Sequence, residues 1–202
     1  MSQGFSKKLF RDLLKTLKMQ TEKLIQQLIE QTEQLLTKAE KLKLYNLDHL
    51  SWRENENSWN ILECLEHLNL YGDFYLPQIE SKIKKTNSLP EQEFRKGLFG
   101  NYFAKSMLPK VKPNKMKTFK DKDPVHRKLH KSVIDRFINQ QVKLLELLNL
   151  SKKVNLNKVK IETSISSLIK LKLGDTFQFY INHMIRHFIQ IDRLEHLIKN
   201  RN

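Results

Sequence analysis

The chain has 202 residues, 39% of them hydrophobic, a formal net charge of +15, one cysteine, and five each of glycine and proline. That length holds one sizeable domain with a real core, and the lone Cys64 excludes an intrachain disulfide framework. No apolar run approaches the ~20 residues needed to cross a bilayer, and Met1–Asp12 lacks both an uninterrupted apolar core and a small-residue cleavage site, so a cytoplasmic protein is expected.

The first amphipathic stretch runs from Phe5 to Leu44. Its apolar positions, among them Phe10, Leu13, Leu17, Leu24, Leu28, Leu35 and Leu42, recur at three- and four-residue steps, the period of a helix. A single helix of ~40 residues would be ~60 Å long, longer than the later helices could cover. A break somewhere before Thr21, or an N-terminal helical extension over residues 1–20, is therefore expected, and the sequence does not choose between them. Tyr45–Ser58, rich in Asn, Asp and Ser, reads as a loop. Asn60-Ile-Leu-Glu63 reads as a capping box that opens a second helix. That helix runs to about Lys84, and Pro77 inside it should kink or break it.

Residues 86–124 read as a long irregular basic loop in which Phe94, Leu98, Phe99, Tyr102, Phe103 and Met107 suggest a short helix packed on the bundle. Loops of this length are usually functional or disordered. Between Lys105 and Lys131 ten cationic residues face only Asp121 and Asp123. Such a charge raises nucleic acid or an anionic membrane as partners. The cations are nearly all lysine, however, and arginine is the better planar reader of phosphates and base edges. The stretch therefore reads as a solvated surface. Weak, salt-sensitive polyanion binding is expected, without specific nucleic acid recognition.

A third helix is expected over Val125–Leu150, with Pro124 at its start. Ser151–Leu173 partly alternates apolar and polar residues, consistent with short extended pieces. Asp175-Thr-Phe-Gln178 reads as a second capping box, opening a fourth helix to about Lys199. Four long amphipathic helices make an all-α four-helix bundle the natural architecture, in a single domain over residues 1–202.

Two histidine pairs have i,i+4 spacing, which on a helix places both on one face. His126 and His130 lie among cationic side chains that disfavour a dication, and are not expected to be ligands. His183 and His187 lie beside the apolar residues Phe179, Tyr180, Met184 and Phe188. Burial would keep them neutral and able to ligate, although two hydrogen-bonded core histidines fit the pattern as well. His67, beside Leu65 and Leu68, reads by itself as a core histidine.

Trp59-Asn60-Ile-Leu-Glu63-Cys-Leu-Glu-His67-Leu68, followed by His183-Met-Ile-Arg186-His187-Phe-Ile-Gln190, resembles the DinB-like superfamily over roughly Thr21–Leu197. That family carries Trp-Ser-x-x-Glu-x-x-x-His-Leu and His-x-x-x-His-x-x-Gln; here Asn60 replaces the Ser and keeps the cap. The resemblance implies an up-down-down-up bundle, a nickel or zinc ion held by His67, His183 and His187, and a homodimer. It also implies a metal-dependent transferase or hydrolase acting on a small molecule, with low-molecular-weight thiols as one substrate class. It implies no DNA binding. Three imidazoles with an open position are a catalytic type of site rather than a closed structural one. No general acid or base is assignable. Arg186 and Gln190 read as surface or inter-helix hydrogen-bonding residues, Glu63 as a cap, and Cys64 as a small buried hydrophobe.

Two other readings are a non-catalytic metal-binding bundle and a basic nucleic-acid or membrane-surface binder with incidental histidines. In the metal-site reading, the three imidazoles reach similar depth if the second and fourth helices start from the same end; an antiparallel pair would need a fortuitous offset.

Overall fold

A computed structural model describes residues 18–108 and 118–201. Four long helices dominate it: α1 (Thr21–Leu42), α3 (Ile61–Lys85), α5 (Ser132–Ser151) and α6 (Leu173–Lys199). Two shorter ones, α2 (Leu47–Ser51) and α4 (Leu98–Met107), lie in the connections. Strands β1 (Lys18–Gln20) and β2 (Glu93–Arg95) form one antiparallel pair, and β3 (Lys160–Glu162) and β4 (Lys170–Lys172) form another. The architecture is an all-α bundle with two small ribbons at its edges. Among the described residues, no helix is long and apolar enough to cross a membrane.

α1 and α3 each pack against both α5 and α6. Side-chain pairs give the directions. Asn69 on α3 donates to the Val133 carbonyl on α5, and further along Lys143 on α5 meets Glu80 on α3, so these two run parallel. Lys43, just past the end of α1, pairs with Asp135 in the first turn of α5, so that pair is antiparallel. Along α3, Tyr71 then Tyr75 meet His183 then Phe179 on α6, again antiparallel. The order is up, down, down, up. That is the order the resemblance implies; in it α3 and α6 start from opposite ends, so the same-end condition for bringing the three imidazoles to similar depth is not met.

The core sits between the four long helices, and the N-terminal half of α3 is its centre: every residue from Ile61 to Asn69 is buried. Fully burying a Leu, Ile or Phe side chain contributes about 1.5–3 kcal/mol, and the fully buried set includes Ile25, Leu65, Phe137 and Phe177. Cys64 belongs to the same core.

Several boundaries differ from the sequence reading. The break before Thr21 is present, but Lys18–Gln20 is a strand rather than helix; residues 1–17 of the expected extension lie outside the described residues. The loop after α1 contains α2, capped by the Asn46 side chain accepting from the His49 amide. α3 runs through Pro77 without ending. Proline removes one backbone donor, and the carbonyl it frees belongs to Asp73, which is exposed.

α5 begins at Ser132, not Val125. The segment before it turns at His126, whose φ of 59° lies in the left-handed region and is incompatible with continuing a right-handed helix. α6 begins at Leu173, and Asp175 is no cap. Its carboxylate reaches across to accept from the Gly97 amide, where α4 begins. The irregular stretch after α3 contains β2, α4 and a 3-10 turn at Lys120–Lys122. Phe94 is buried on β2, whereas Leu98, Phe99 and Tyr102 on α4 are exposed.

Candidate metal centre

The Asn60–Glu63 capping box is complete: the Asn60 side chain accepts from the Glu63 amide, and the Glu63 carboxylate accepts from the Asn60 amide. This fixes the start of α3 two turns before His67. Glu63, fully buried, also accepts from the Arg53 guanidinium at 2.9 Å and from the His126 amide at 2.7 Å. It therefore clamps the loop before α3 and the segment before α5 onto the helix start. Arg53 is positioned to balance the buried charge.

That clamped segment completes the site. Lys122, four residues before His126, presents its backbone carbonyl to Nδ1 of His67 at 2.7 Å. A carbonyl only accepts, so Nδ1 carries the proton and Nε2 is left with a lone pair. On α6, Nδ1 of His187 lies 3.2 Å from the Gln190 amide oxygen, which holds that ring in the same tautomer. Orienting a ring through its outer nitrogen is how proteins prepare imidazole ligands.

The inner nitrogens converge. Nε2 of His183 lies 3.1 Å from Nε2 of His67 and 3.1 Å from Nε2 of His187. One ring nitrogen from each of the three lies within 4.8 Å of the other two. One proton on His183 Nε2 could satisfy only one of those two short contacts. A tetrahedral ion bound at ~2.0–2.1 Å would set neighbouring nitrogens ~3.3 Å apart and satisfy all three lone pairs. The donor set therefore fits a divalent transition metal. The arrangement has one unmet cost: His183 Nδ1 is buried with no hydrogen-bond partner among the described residues.

Burial keeps all three rings neutral at physiological pH. It lowers the His67 pKa to about 4 and, with the neighbouring His67 adding to it, lowers that of His187 to about 3. His183 is pushed well below the usual range for the same reasons. Neutral imidazole is the ligating form.

The histidines meet although α3 and α6 are antiparallel. His67 is the seventh residue of α3, and His183 and His187 are the eleventh and fifteenth of α6. The two helices are offset along each other, so the start of α3 lies against the middle of α6. Trp59, just before α3, packs on the rings of His67 and His187 with centroids 4.7 and 5.7 Å away. Tyr71 packs on His67 and His183 at 5.0 and 4.6 Å. These aromatic walls restrict the rings to one orientation.

The site opens into a cavity of about 1010 Å³. Its sides come from the loop before α3 (Asn57–Trp59), α3, α4, Thr118–Phe119, the turn joining β3 to β4, and α6. The long connection after α3 thus shapes the cavity. Four of the lysines counted there, Lys110, Lys112, Lys115 and Lys117, lie outside the described residues.

A family model matches residues 27–191, described as the DinB superfamily. The chain belongs to the DinB superfamily. Neither the curated proteins nor the solved structures yield a match. This DinB-superfamily chain therefore carries a three-histidine cluster that could hold a metal ion. His126 and His130 are not part of the cluster; they precede α5 rather than sharing a helix face.

Sequence reading missed two features of this DinB-superfamily site. Gln190 orients a candidate ligand on its own helix rather than serving the surface or an inter-helix hydrogen bond, and its three-residue spacing from His187 was the available signal. The Lys122 contact uses a backbone carbonyl, so no residue type marks it.

Proposed function

We propose that this chain is a metal-dependent enzyme that acts on a small molecule at His67, His183 and His187. The observation that carries the reading is the convergence of three Nε2 atoms, two of them turned inward by acceptors on their outer nitrogens. A buried structural cluster would need no cavity, whereas this one opens onto a large one. A three-imidazole set suits zinc or nickel among other first-row ions. Bound there, such an ion would supply Lewis acidity that raises the acidity of a thiol or a water molecule.

The chain's own residues would do the rest. Trp59 and Tyr71 hold the rings and limit water on that side. The Lys122 carbonyl and Gln190 fix the tautomers. The cavity binds and orients the substrate. The reaction class that fits is transfer of a low-molecular-weight thiol to an electrophile, or hydrolysis.

The test is a panel of low-molecular-weight thiols with electrophilic acceptors, followed by loss of free thiol and release of hydrolysis products. Turnover is expected in zinc- or nickel-loaded protein and not in His67→Ala. Loaded protein that is inactive across the panel, or His67→Ala that is equally active, would contradict the proposal.

A further inference from the structure

The charge on the cavity wall is one-sided. Among the described residues that line it there is no aspartate or glutamate, while Lys105 on α4 and Arg186 on α6 both contribute. Two carboxylates stand on the adjoining segment outside the lining: Asp121 pairs with Lys122 and Asp123 accepts from the Val125 amide, and their charges are felt at Tyr71 and His67. The remaining wall holds six aromatic residues, Trp59, Tyr71, Tyr102, Phe103, Phe119 and Phe179, beside the three histidines and uncharged polar side chains such as Asn57, Ser106 and Thr118. A mostly apolar pocket with a few placed polar groups is the form of a small-molecule site, and its volume is at the upper end of the ~300–1,000 Å³ typical of such sites.

We infer that the cavity selects a small organic acid with an aromatic or otherwise apolar body, its carboxylate directed to Lys105 and Arg186. The assignment of the reactive end to the three histidines rests on the metal-site reading above; the charge selection does not. Lys105 is exposed, lies on the same helix as Tyr102, three residues away, and lines the cavity with it. Arg186 lies between His183 and His187 in the sequence and lines the same space. An anion entering there meets two cations and, among the described lining residues, no carboxylate, while a cationic analogue is repelled by those same two groups, against which the aromatic faces and imidazole lone pairs offer a smaller attraction. Aromatic faces then bury the body of the ligand.

The test uses three naphthalene compounds of nearly equal shape: 2-naphthoate, 2-naphthylmethanol and 2-naphthylmethylammonium. Each is titrated calorimetrically into full-length protein stripped of metal by chelation, so that coordination plays no part. The carboxylate is expected to bind about tenfold or more tightly than the ammonium compound, with the alcohol between. Lys105→Glu, an exposed change, should weaken the carboxylate by about tenfold and leave the alcohol within about twofold; adding Arg186→Gln should weaken the carboxylate further. A control that removes equal charge elsewhere, Lys23→Glu, should change neither affinity.

Circular dichroism confirms that each variant is folded. Equal affinities for the three compounds, tightest binding of the ammonium compound, an unchanged carboxylate affinity in folded Lys105→Glu, or no binding of any compound at about 5 mM would overturn the inference. So would an equal loss in the Lys23→Glu control, since the effect would then belong to the overall charge. The same titrations in His67→Ala keep the two readings apart: the charge preference should survive there even if metal binding does not.

Discussion

Glu63 links the start of a helix to the candidate ligands. Its carboxylate accepts from Asn60, Arg53 and His126, and the segment it secures carries the carbonyl that orients His67. Glu63→Ala would leave Arg53 without its buried partner and two amides unpaired. A loss of about 3 kcal/mol in urea unfolding is expected; a loss below about 1 kcal/mol would reduce Glu63 to an ordinary helix cap.

Asp175 makes the opposite kind of prediction. Burial raises its pKa from 3.8 to about 6, against the pull of the Gly97 amide and nearby lysines. A carboxyl whose folded pKa lies above its unfolded value favours folding when protonated. That contribution is fully present below about pH 4 and is lost as pH rises through 6, by an amount on the order of 3 kcal/mol. Asp175→Asn can keep the acceptor for Gly97 without the charge. Its stability relative to the parent should therefore increase between pH 4 and 7, measured by thermal unfolding. Parallel curves for the two proteins would show that Asp175 is not buried as a charge.

At the scale of elements, the helix periodicity and the first capping box were legible because both are local. The break before Thr21 was legible from length alone. The relative direction of α3 and α6 was legible only through the family resemblance and not from the helices themselves, because two helices of similar pattern pack either way and the choice depends on connections. The capping-box motif at Asp175–Gln178 misled for a related reason: the motif is short, and a tertiary partner, the Gly97 amide, took the carboxylate. Likewise the i,i+4 spacing of His126 and His130 had no helix beneath it, because Glu63 draws the His126 amide into a turn.

The docking of α4 on α6 depends on a close approach. A Cβ on Gly100 would lie 2.3 Å from Cγ of the buried Asp175. A Cβ on Gly72 would meet only the end of the Gln140 side chain, at 2.0 Å, which can swing away. Gly100→Ala should therefore destabilise by about 1–3 kcal/mol, and Gly72→Ala by less. The reverse order in denaturant titrations would mean that α4 is not held against α6 as described.

For the whole molecule, the family and the bundle were readable from two motifs far apart in sequence, Trp59–Leu68 and His183–Gln190. The cavity was not, since its wall is assembled from six segments far apart in the sequence. The net charge of +15 acts at this scale too. It should give weak, sequence-independent polyanion binding that fades steeply with salt, and sub-micromolar sequence-dependent DNA binding at physiological salt would point to a different role.

The central claim is that His67, His183 and His187 form one metal site. It is tested most directly by elemental analysis of protein purified without an affinity tag, with His183→Ala beside it. One equivalent of a divalent transition metal per chain is expected in the parent and a loss of nearly all of it in the variant. A parent that takes up no such metal even when zinc or nickel is supplied, or a folded His183→Ala that retains a full equivalent, would contradict the account.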